Sequence, residues 1–421
     1  MIRTVKGTFD ILPDSSYRWR QLEEAFHAFM YRYGYEEIRT PAFEKTELFT
    51  RGVGTDTDIV SKEMYTWLDG GKTSLTLKPE LTAPVIRAYI QHNLAARSPL
   101  TRLYYLDALF RRERPQKGRQ RQFHQFGAEV IGSIHAEADV EIIAIAHTFL
   151  KEIGLTRLHL KLNSIGSRQA RQDYRQALKE FLTPHFDALS DVSRQRFQTN
   201  PLRILDTKIP HEIALLDDAP DIRDYLTDED RDHFSTVQDG LNALEIPYTI
   251  DKRMVRGLDY YTRTTFEITS EDLGSQDALC GGGRYDRLIE LLGGKPTPAI
   301  GFAAGIERIL IALETIETEE SPPTPDIYLI TLGRAAVLPG QQLAHVLRQS
   351  GFSVVTDLLH RSMKSQLRNA NRSGARFAVI IGDSELETRH YQVKDLRANS
   401  QAAVAQNDII TYLTEKLKSP A

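Results

Sequence analysis

The 421-residue sequence predicts an α/β protein in two parts: an α+β core built on an antiparallel sheet flanked by helices, then a smaller C-terminal α/β unit. Three observations carry that expectation. Before residue 317 several extended stretches follow one another through turns with no helix between, the habit of antiparallel pairing. A polar helical stretch, approximately 168–242, interrupts them as a helical insertion. Beyond a proline- and acid-rich seam, strands and helices alternate, which favours a mostly parallel sheet covered by helices.

Taken in order, Tyr17 to Tyr33 read as an amphipathic helix closed by Gly34. Glu36–Arg39, Thr73–Lys78, Arg102–Arg112, Arg121–Ile131 and Tyr261–Thr269 read as extended. Within the insertion, Asp217 to Asp232 holds eight acids and two arginines; no ligand spacing stands out, so it reads as a solvated helical surface. The seam, 317–325 (ETEESPPTP), has too little to bury and reads as a linker. Residues 1–320 then form the main domain and 326–421 the second. In the latter, Ile327–Thr331, Phe352–Val355 and Phe377–Ile381 read as strands, Gln341–Gln349 and Ser362–Arg372 as helices.

Composition excludes several classes. With 41% hydrophobic and 26% charged residues the chain is globular rather than disordered. A net charge of −4 excludes a uniformly basic coat but leaves room for local basic surfaces. One cysteine, Cys280, allows neither an internal disulfide nor a multi-cysteine zinc site, and reads as a packed residue. No apolar run approaches the roughly 18–20 residues of a membrane span, and the first residues lack a secretory signal's apolar stretch; the expectation is a cytoplasmic protein without membrane contact. Gly71-Lys72-Thr73 has Thr66 where a phosphate loop needs glycine, and Gly281-Gly282-Gly283 has Asp286 where a dinucleotide turn needs one. Phosphates here would be held by arginines.

The most informative segment is Leu103 to Ile131. Six cations (Arg111, Arg112, Arg114, Lys117, Arg119, Arg121) and one acid, Glu113, occupy its turn, which Pro115 and Gly118 mark. Side chains alternate along a strand, so Phe123, Gln125, Gly127, Glu129 and Ile131 share one face of the return strand. His124, Phe126, Ala128 and Val130 share the other, a core face. Burying Gln125 and Glu129 without partners would cost several kcal/mol; they are expected to face a polar ligand, with Gly127 leaving space for it. A second stretch, Thr76 to Thr82, repeats the pattern, with Lys78, Glu80 and Thr82 pointing the same way. Arg111, Arg256 and Arg308, each weak evidence alone, would together suit a triphosphate.

These strings resemble the histidyl-tRNA synthetase family of class II aminoacyl-tRNA synthetases, nearly end to end. Lys6 to Pro13 (KGTFDILP) is similar to the family's opening, and Gly34 to Pro41 to class II motif 1, whose proline lies near a dimer interface. Phe110 to Gln125 resembles motif 2 and Gly301 to Arg308 motif 3. RGLDYY (256–261) and LCGGGRYD (279–286) resemble the histidine-specific stretches. Arg112 and Leu81 depart from the residues common in the family, at positions that carry no ligand role.

The resemblance implies a class II catalytic domain, a C-terminal α/β anticodon-binding domain and a homodimer. Its partners would be L-histidine, ATP and tRNA(His), its cofactor Mg2+, with no metal ligand identifiable. It implies that Arg111 and Arg256 contact the α-phosphate as the catalytic pair, Phe123 stacks on adenine beside Glu113, and Arg308 holds the γ-phosphate. Glu80, Thr82 and Gln125 would bind the substrate's amino group, Glu129 and Tyr261 its imidazole, with Tyr260, Tyr285 and Arg256 completing the histidine pocket. The alternative is the catalytically inactive, synthetase-like regulatory subunit of ATP phosphoribosyltransferase, which typically lacks the C-terminal domain.

In that domain, Arg361, Lys364, Arg368 and Arg372 fall at helical spacing as one stripe, opposite a buried stripe of Met363, Leu367 and Ala370. No acid occurs from Leu358 to Ile381. A charge run is usually a solvated face; one without an acid, on a chain of net charge −4, is expected to meet RNA phosphates, with Lys364, Arg368 and Arg372 as the contacts.

Overall fold

In chain order the strands of the first part are β1 (Glu36–Glu37), β2 (Phe43–Lys45), β3 (Thr66–Leu68), β4 (Ser74–Leu77), β5 (Thr101–Phe110) and β6 (Gln122–Ile131). Then come β7 (Leu158–Ser164), β8 (Tyr248–Ile250), β9 (Thr262–Ser270), β10 (Ala278–Arg284) and β11 (Ala299–Gly305). The computed structural model describes residues 1–54, 57–116, 118–255, 258–273, 277–316 and 322–418. It divides into two units, Met1–Thr318 and Glu319–Ala421. Among the described residues, no helix is long and apolar enough to cross a membrane.

Eight strands of the first unit form one sheet in the order β1-β5-β6-β11-β10-β9-β7-β8; β2, β4 and β3 form a small one. Neighbours from β5 across to β7 run antiparallel, and the edge strands β1 and β8 join in parallel. Both faces are covered, so each long strand contributes alternate residues to two cores. Phe126, Ala128 and Val130 pack with Phe26, Phe29 and Phe149. Each such buried phenylalanine or valine side chain contributes about 1.5–3 kcal/mol. Leu103, Tyr105, Leu109 and Ile131 belong to the other face, with Leu81, Tyr260 and Tyr285.

The first helix, Ser16–Arg32, buries Trp19, Leu22, Phe26, Phe29 and Met30 along one side. It ends where Gly34 takes φ +72°, a left-handed closing residue for which glycine carries no steric cost. The polar region is helical, with Arg168–Leu182, Asp191–Thr199, Pro210–Leu216 and Asp228–Ala243. Its acids are not all solvated: Asp230 is buried and accepts from the Ser167 N–H (3.0 Å) and Arg263 Nε (3.1 Å). Asp230 is the fully buried carboxylate of the acid run; Asp221 is partly covered and pairs with Arg223.

The second unit contains β12 (Ile327–Thr331), β13 (Val354–Thr356), β14 (Phe377–Ile381), β15 (His390–Asp395) and β16 (Ser400–Ala405), ordered β13-β12-β14-β15-β16. Only β13, β12 and β14 are parallel; β15 and β16 add an antiparallel hairpin. The mostly parallel expectation fails there because of turn chemistry. Asp395 Oδ1 accepts the N–H groups of Arg397 and Ala398, and Asn399 takes φ +50°, which together reverse the chain.

Candidate functional site

A cleft of about 540 Å³ opens on the sheet face that carries Gln125, between the 111–121 turn, β10, β11 and residues 80–82. At one end lies a buried carboxylate. Glu129 is 1% exposed; its Oε1 accepts from Thr82 Oγ1 (2.8 Å) and the Tyr105 hydroxyl (2.9 Å), its Oε2 from the Tyr285 hydroxyl (2.5 Å). Glu129 thus reaches the cleft through Thr82 and Tyr285, which line it. Gly301 stands opposite Glu129 in the β6–β11 register. A Cβ there would fall 1.5 Å from Glu129 Oε2, so the carboxylate occupies space that any other residue would fill.

Two expectations change at this end. Gly127 does not leave room for a ligand: a Cβ would meet the Phe302 carbonyl at 2.1 Å and the Tyr105 ring at 2.7 Å, so the missing side chain admits Tyr105 instead. Nor are Lys78, Glu80 and Thr82 one strand face, because β4 ends at Leu77 and a helix, Thr82–Gln91, begins. Lys78 is buried against Asp107 and the Thr40 carbonyl. Glu80 turns back to accept the N–H groups of Thr82 (2.8 Å) and Ala83 (2.9 Å), satisfying donors the first turn cannot pair internally. Glu80, Thr82 and Gln125 still line the cleft.

Burial raises both carboxyls. Glu129 and Glu80 are each pushed up to about 7 by desolvation, with their hydrogen-bond donors pulling the other way. Tyr260, Tyr261 and Tyr285 form the adjoining wall, with the Tyr260 ring 4.7 Å from Tyr261 and 5.6 Å from Tyr285.

The other end is cationic. Arg111 lies over the Phe123 ring, centroid 5.1 Å away, and its Nε donates to the Pro79 carbonyl at 2.9 Å. Glu113 sits between Arg119 (3.1 Å) and Arg111 (3.9 Å). Arg308 donates from Nε to the Gly118 carbonyl (3.1 Å) and from a terminal nitrogen to the Ala278 carbonyl (2.8 Å). Its pKa is lowered, first by burial and then by Arg119, although a guanidinium stays charged. An anion placed here would relieve that mutual repulsion. The neighbouring Glu307 accepts from the His124 N–H and ring, tying the helix Ile306–Leu313 to β6.

Arg256 lies outside the described residues, as do Lys117 and 317–321 of the seam. The face-by-face reading missed Tyr105, although it pairs with Gly127 across β5 and β6 and alternation along β5 would have placed it beside Glu129. Asp58, Arg203 and Lys208 also line the cleft; Arg203 donates to Asp58 at 3.1 Å, a contact between distant segments that leaves no local signal.

In the second unit Lys364, Arg368 and Arg372 are exposed on the helix Met363–Arg372. Arg361 is not part of their stripe: it precedes the helix and is bound to buried Asp357 at 2.6 and 2.9 Å. Met363 is not buried either, at 38% exposure; Gln366 and Ala370 are the residues turned fully inward.

A family model described as histidyl-tRNA synthetase matches residues 7–309, and one described as an anticodon binding domain matches 326–416. A histidine–tRNA ligase of Chloroherpeton thalassium is 47% identical over 98% of this chain and 97% of its own. One of Listeria innocua is 49% identical over 97% of each. The crystal structure of apo histidyl-tRNA synthetase from S. aureus, 37% identical, superposes with a TM-score of 0.83 over 98% of this chain and all of that one. With a carboxylate at one end of the cleft, guanidinium groups at the other and full-length similarity of this degree, the chain belongs to the histidyl-tRNA synthetase family.

Proposed function

We propose that the protein ligates L-histidine to tRNA(His) at the expense of ATP. The observation that carries this reading is one cleft with a buried carboxylate, held by three hydroxyl donors, at one end and Arg111 and Arg308 at the other. The histidine carboxylate attacks the α-phosphorus of ATP and pyrophosphate leaves, giving histidyl-adenylate. The terminal ribose hydroxyl of the tRNA then attacks the histidyl carbonyl, and AMP leaves.

Such transfers need position and charge more than covalent help. In this reading Phe123 stacks on adenine, Arg111 and Arg256 flank the α-phosphate, Glu113 orients Arg111, and Arg308 holds the γ-phosphate. Glu80, Thr82 and Gln125 take the amino group, while Glu129, Tyr260, Tyr261 and Tyr285 form the imidazole pocket. Among the described residues no three acidic, histidine or cysteine side chains group as a cation cage. Magnesium normally keeps waters and binds through substrate phosphates with one or two carboxylates. Glu267 and Asp277, on the cleft wall with Arg308, fit that role. When bound, the ion would neutralise charge on the leaving pyrophosphate.

We further read the protein as a cytoplasmic homodimer. Phe43, Trp67 and Leu68 are exposed on the small sheet beside Pro41, and the Phe43 and Trp67 rings lie 5.9 Å apart, an apolar patch suited to a second copy. Sedimentation as a monomer at micromolar concentration would remove that element.

The test is histidine-dependent exchange of pyrophosphate into ATP, which a regulatory subunit would fail and a synthetase for another amino acid would show with that amino acid instead. Replacing Lys364, Arg368 and Arg372 together with alanine is expected to raise KM for tRNA about tenfold or more and flatten its salt dependence. Exchange should stay unchanged; equal loss of both activities would make the stripe structural.

A further inference from the structure

The 111–121 turn is held from outside. Arg111 opens it, and its Gly118 carbonyl pins Arg308, so both guanidinium groups are only as well placed as the turn itself. Just beyond the last β5–β6 pair, Phe110 with Gln122, the Arg111 N–H donates to the Arg121 carbonyl at 2.9 Å. The Arg121 N–H in turn donates to the Gly7 carbonyl at 2.7 Å. Gly7 therefore lies two peptide hydrogen bonds from Arg111.

Both conformation and space demand glycine at that point. Residues 5–8 form a turn in which the Thr8 N–H (2.9 Å) and hydroxyl (2.7 Å) donate to the Val5 carbonyl. Gly7, third in this turn, takes φ +91°, close to the roughly +80° of a type II turn and free of steric cost only for glycine. A Cβ there would fall 2.7 Å from Pro115 Cγ and 2.9 Å from Arg121 Cγ, so it would press directly on the cationic turn. Val5, Lys6 and Phe9 are exposed, so the segment buries little and adds little to the stability of the core. Nor does Gly7 line the cleft; whatever it does there passes through the turn.

We propose that Gly7 is a positioning residue for adenylate formation. Residues 5–8 are an external brace whose Gly7 carbonyl fixes the 111–121 turn, and with it Arg111 and Arg308, in the shape that receives the triphosphate. The inference rests on the ATP reading of the cleft and gives the string KGTFDILP, otherwise without a role, a part in it. Misplacing a charge-stabilising group by about 1 Å can cost 10²-fold in rate, and a backbone brace sets position at that scale.

The experiment measures histidine-dependent exchange in the full chain, in Gly7→Ala, and in Gly7→Ala combined with Pro115→Ala, which removes the nearest clashing atom. Gly7→Ala is expected to lower kcat roughly 10–100-fold, with KM for histidine within twofold and the melting temperature as in the parent. Backbone amide hydrogen exchange should quicken in the peptide spanning 111–121 and nowhere in the sheet. The double variant should recover a large part of the lost rate, because the two changes act through one contact. An unchanged kcat overturns the proposal, as does a loss that the second substitution leaves untouched. A fall in melting temperature that accounts for the lost rate makes the segment structural and overturns it too. So does an altered sedimentation coefficient, which would mean that the segment serves a second copy of the chain. If the parent itself shows no histidine-dependent exchange, the enzymatic reading falls, and amide exchange in the 111–121 peptide still decides the brace.

Discussion

Glu129→Gln is expected to lower kcat/KM for histidine in pyrophosphate exchange by about 10²–10³-fold, with KM for ATP within a few-fold of the parent. Glu129 accepts hydrogen bonds from Thr82, Tyr105 and Tyr285. All three protons are therefore committed to the carboxylate, and the hydroxyl oxygens of Thr82 and Tyr285 at the cleft are left as acceptors. An amide keeps one oxygen but brings an NH2 group, which meets a hydroxyl donor head-on. That hydroxyl must turn round, so the cleft presents a donor where it had an acceptor. A buried polar group left unsatisfied costs about 1–3 kcal/mol, and losing the carboxylate's charge adds to this at a site that prefers a ring N–H. Together these give the roughly 3–4 kcal/mol that the rate loss requires. If histidine KM and kcat stayed put while only the melting temperature fell, Glu129 would be a structural brace.

The pH profile supplies the second reading of the same variant. Burial raises Glu129 and Glu80 from 4.5 to about 7. Between those values the folded protein holds protons that the unfolded chain has released, so stability falls as pH rises. The stabilising contribution is complete below about 4.5 and gone above about 7. Substrate capture runs the other way, since an ionised Glu129 is the better acceptor. Histidine kcat/KM should climb through neutrality in the parent and climb less in Glu129→Gln. Free histidine titrates in the same range, identically for both proteins, so the difference between the two profiles belongs to the enzyme.

How far the site could be read in advance follows from the range of the interactions involved. The two faces of β6 were legible because a strand's period of two is local and Glu129 is implausible on an apolar face without partners. Its partners were less so. Tyr105 needed only the same rule applied to β5, whereas Gly301 is 172 residues away in sequence (301 − 129) and enters through sheet register. The stretch through Glu80 misled because Pro79 favours extended backbone before it, while Pro84 in the helix's first turn is permitted and does not announce the helix. Asp357, one residue before the acid-free stretch, withdrew Arg361 from the cationic stripe. The Asp58–Arg203 contact joins segments 145 residues apart and has no trace in either one.

Arg308→Ala is expected to lower kcat/KM for ATP in histidine-dependent exchange by about 10²–10³-fold and to leave histidine binding, measured without ATP, within about twofold. The side chain is pinned by two backbone carbonyls, Gly118 on the 111–121 turn and Ala278 at the start of β10. Its remaining N–H groups are thereby aimed without further ordering when phosphate arrives, which is the condition under which a charged donor contributes most. Burial depresses it first, and Arg119 and Arg111 add to this against the opposite pull of Glu113 and Glu267, so a triphosphate would relieve the repulsion among the guanidinium groups. Arg308→Lys separates charge from geometry. An ammonium keeps the charge but has no planar fork able to span two carbonyls and still reach a phosphate. About a tenfold loss is therefore expected, between parent and alanine variant. The removed contacts also join the turn to β10, so melting temperature must be followed alongside. A loss of stability shared equally by the lysine and alanine variants, with ATP kinetics following it in proportion, would assign Arg308 to fastening the turn rather than to holding the nucleotide.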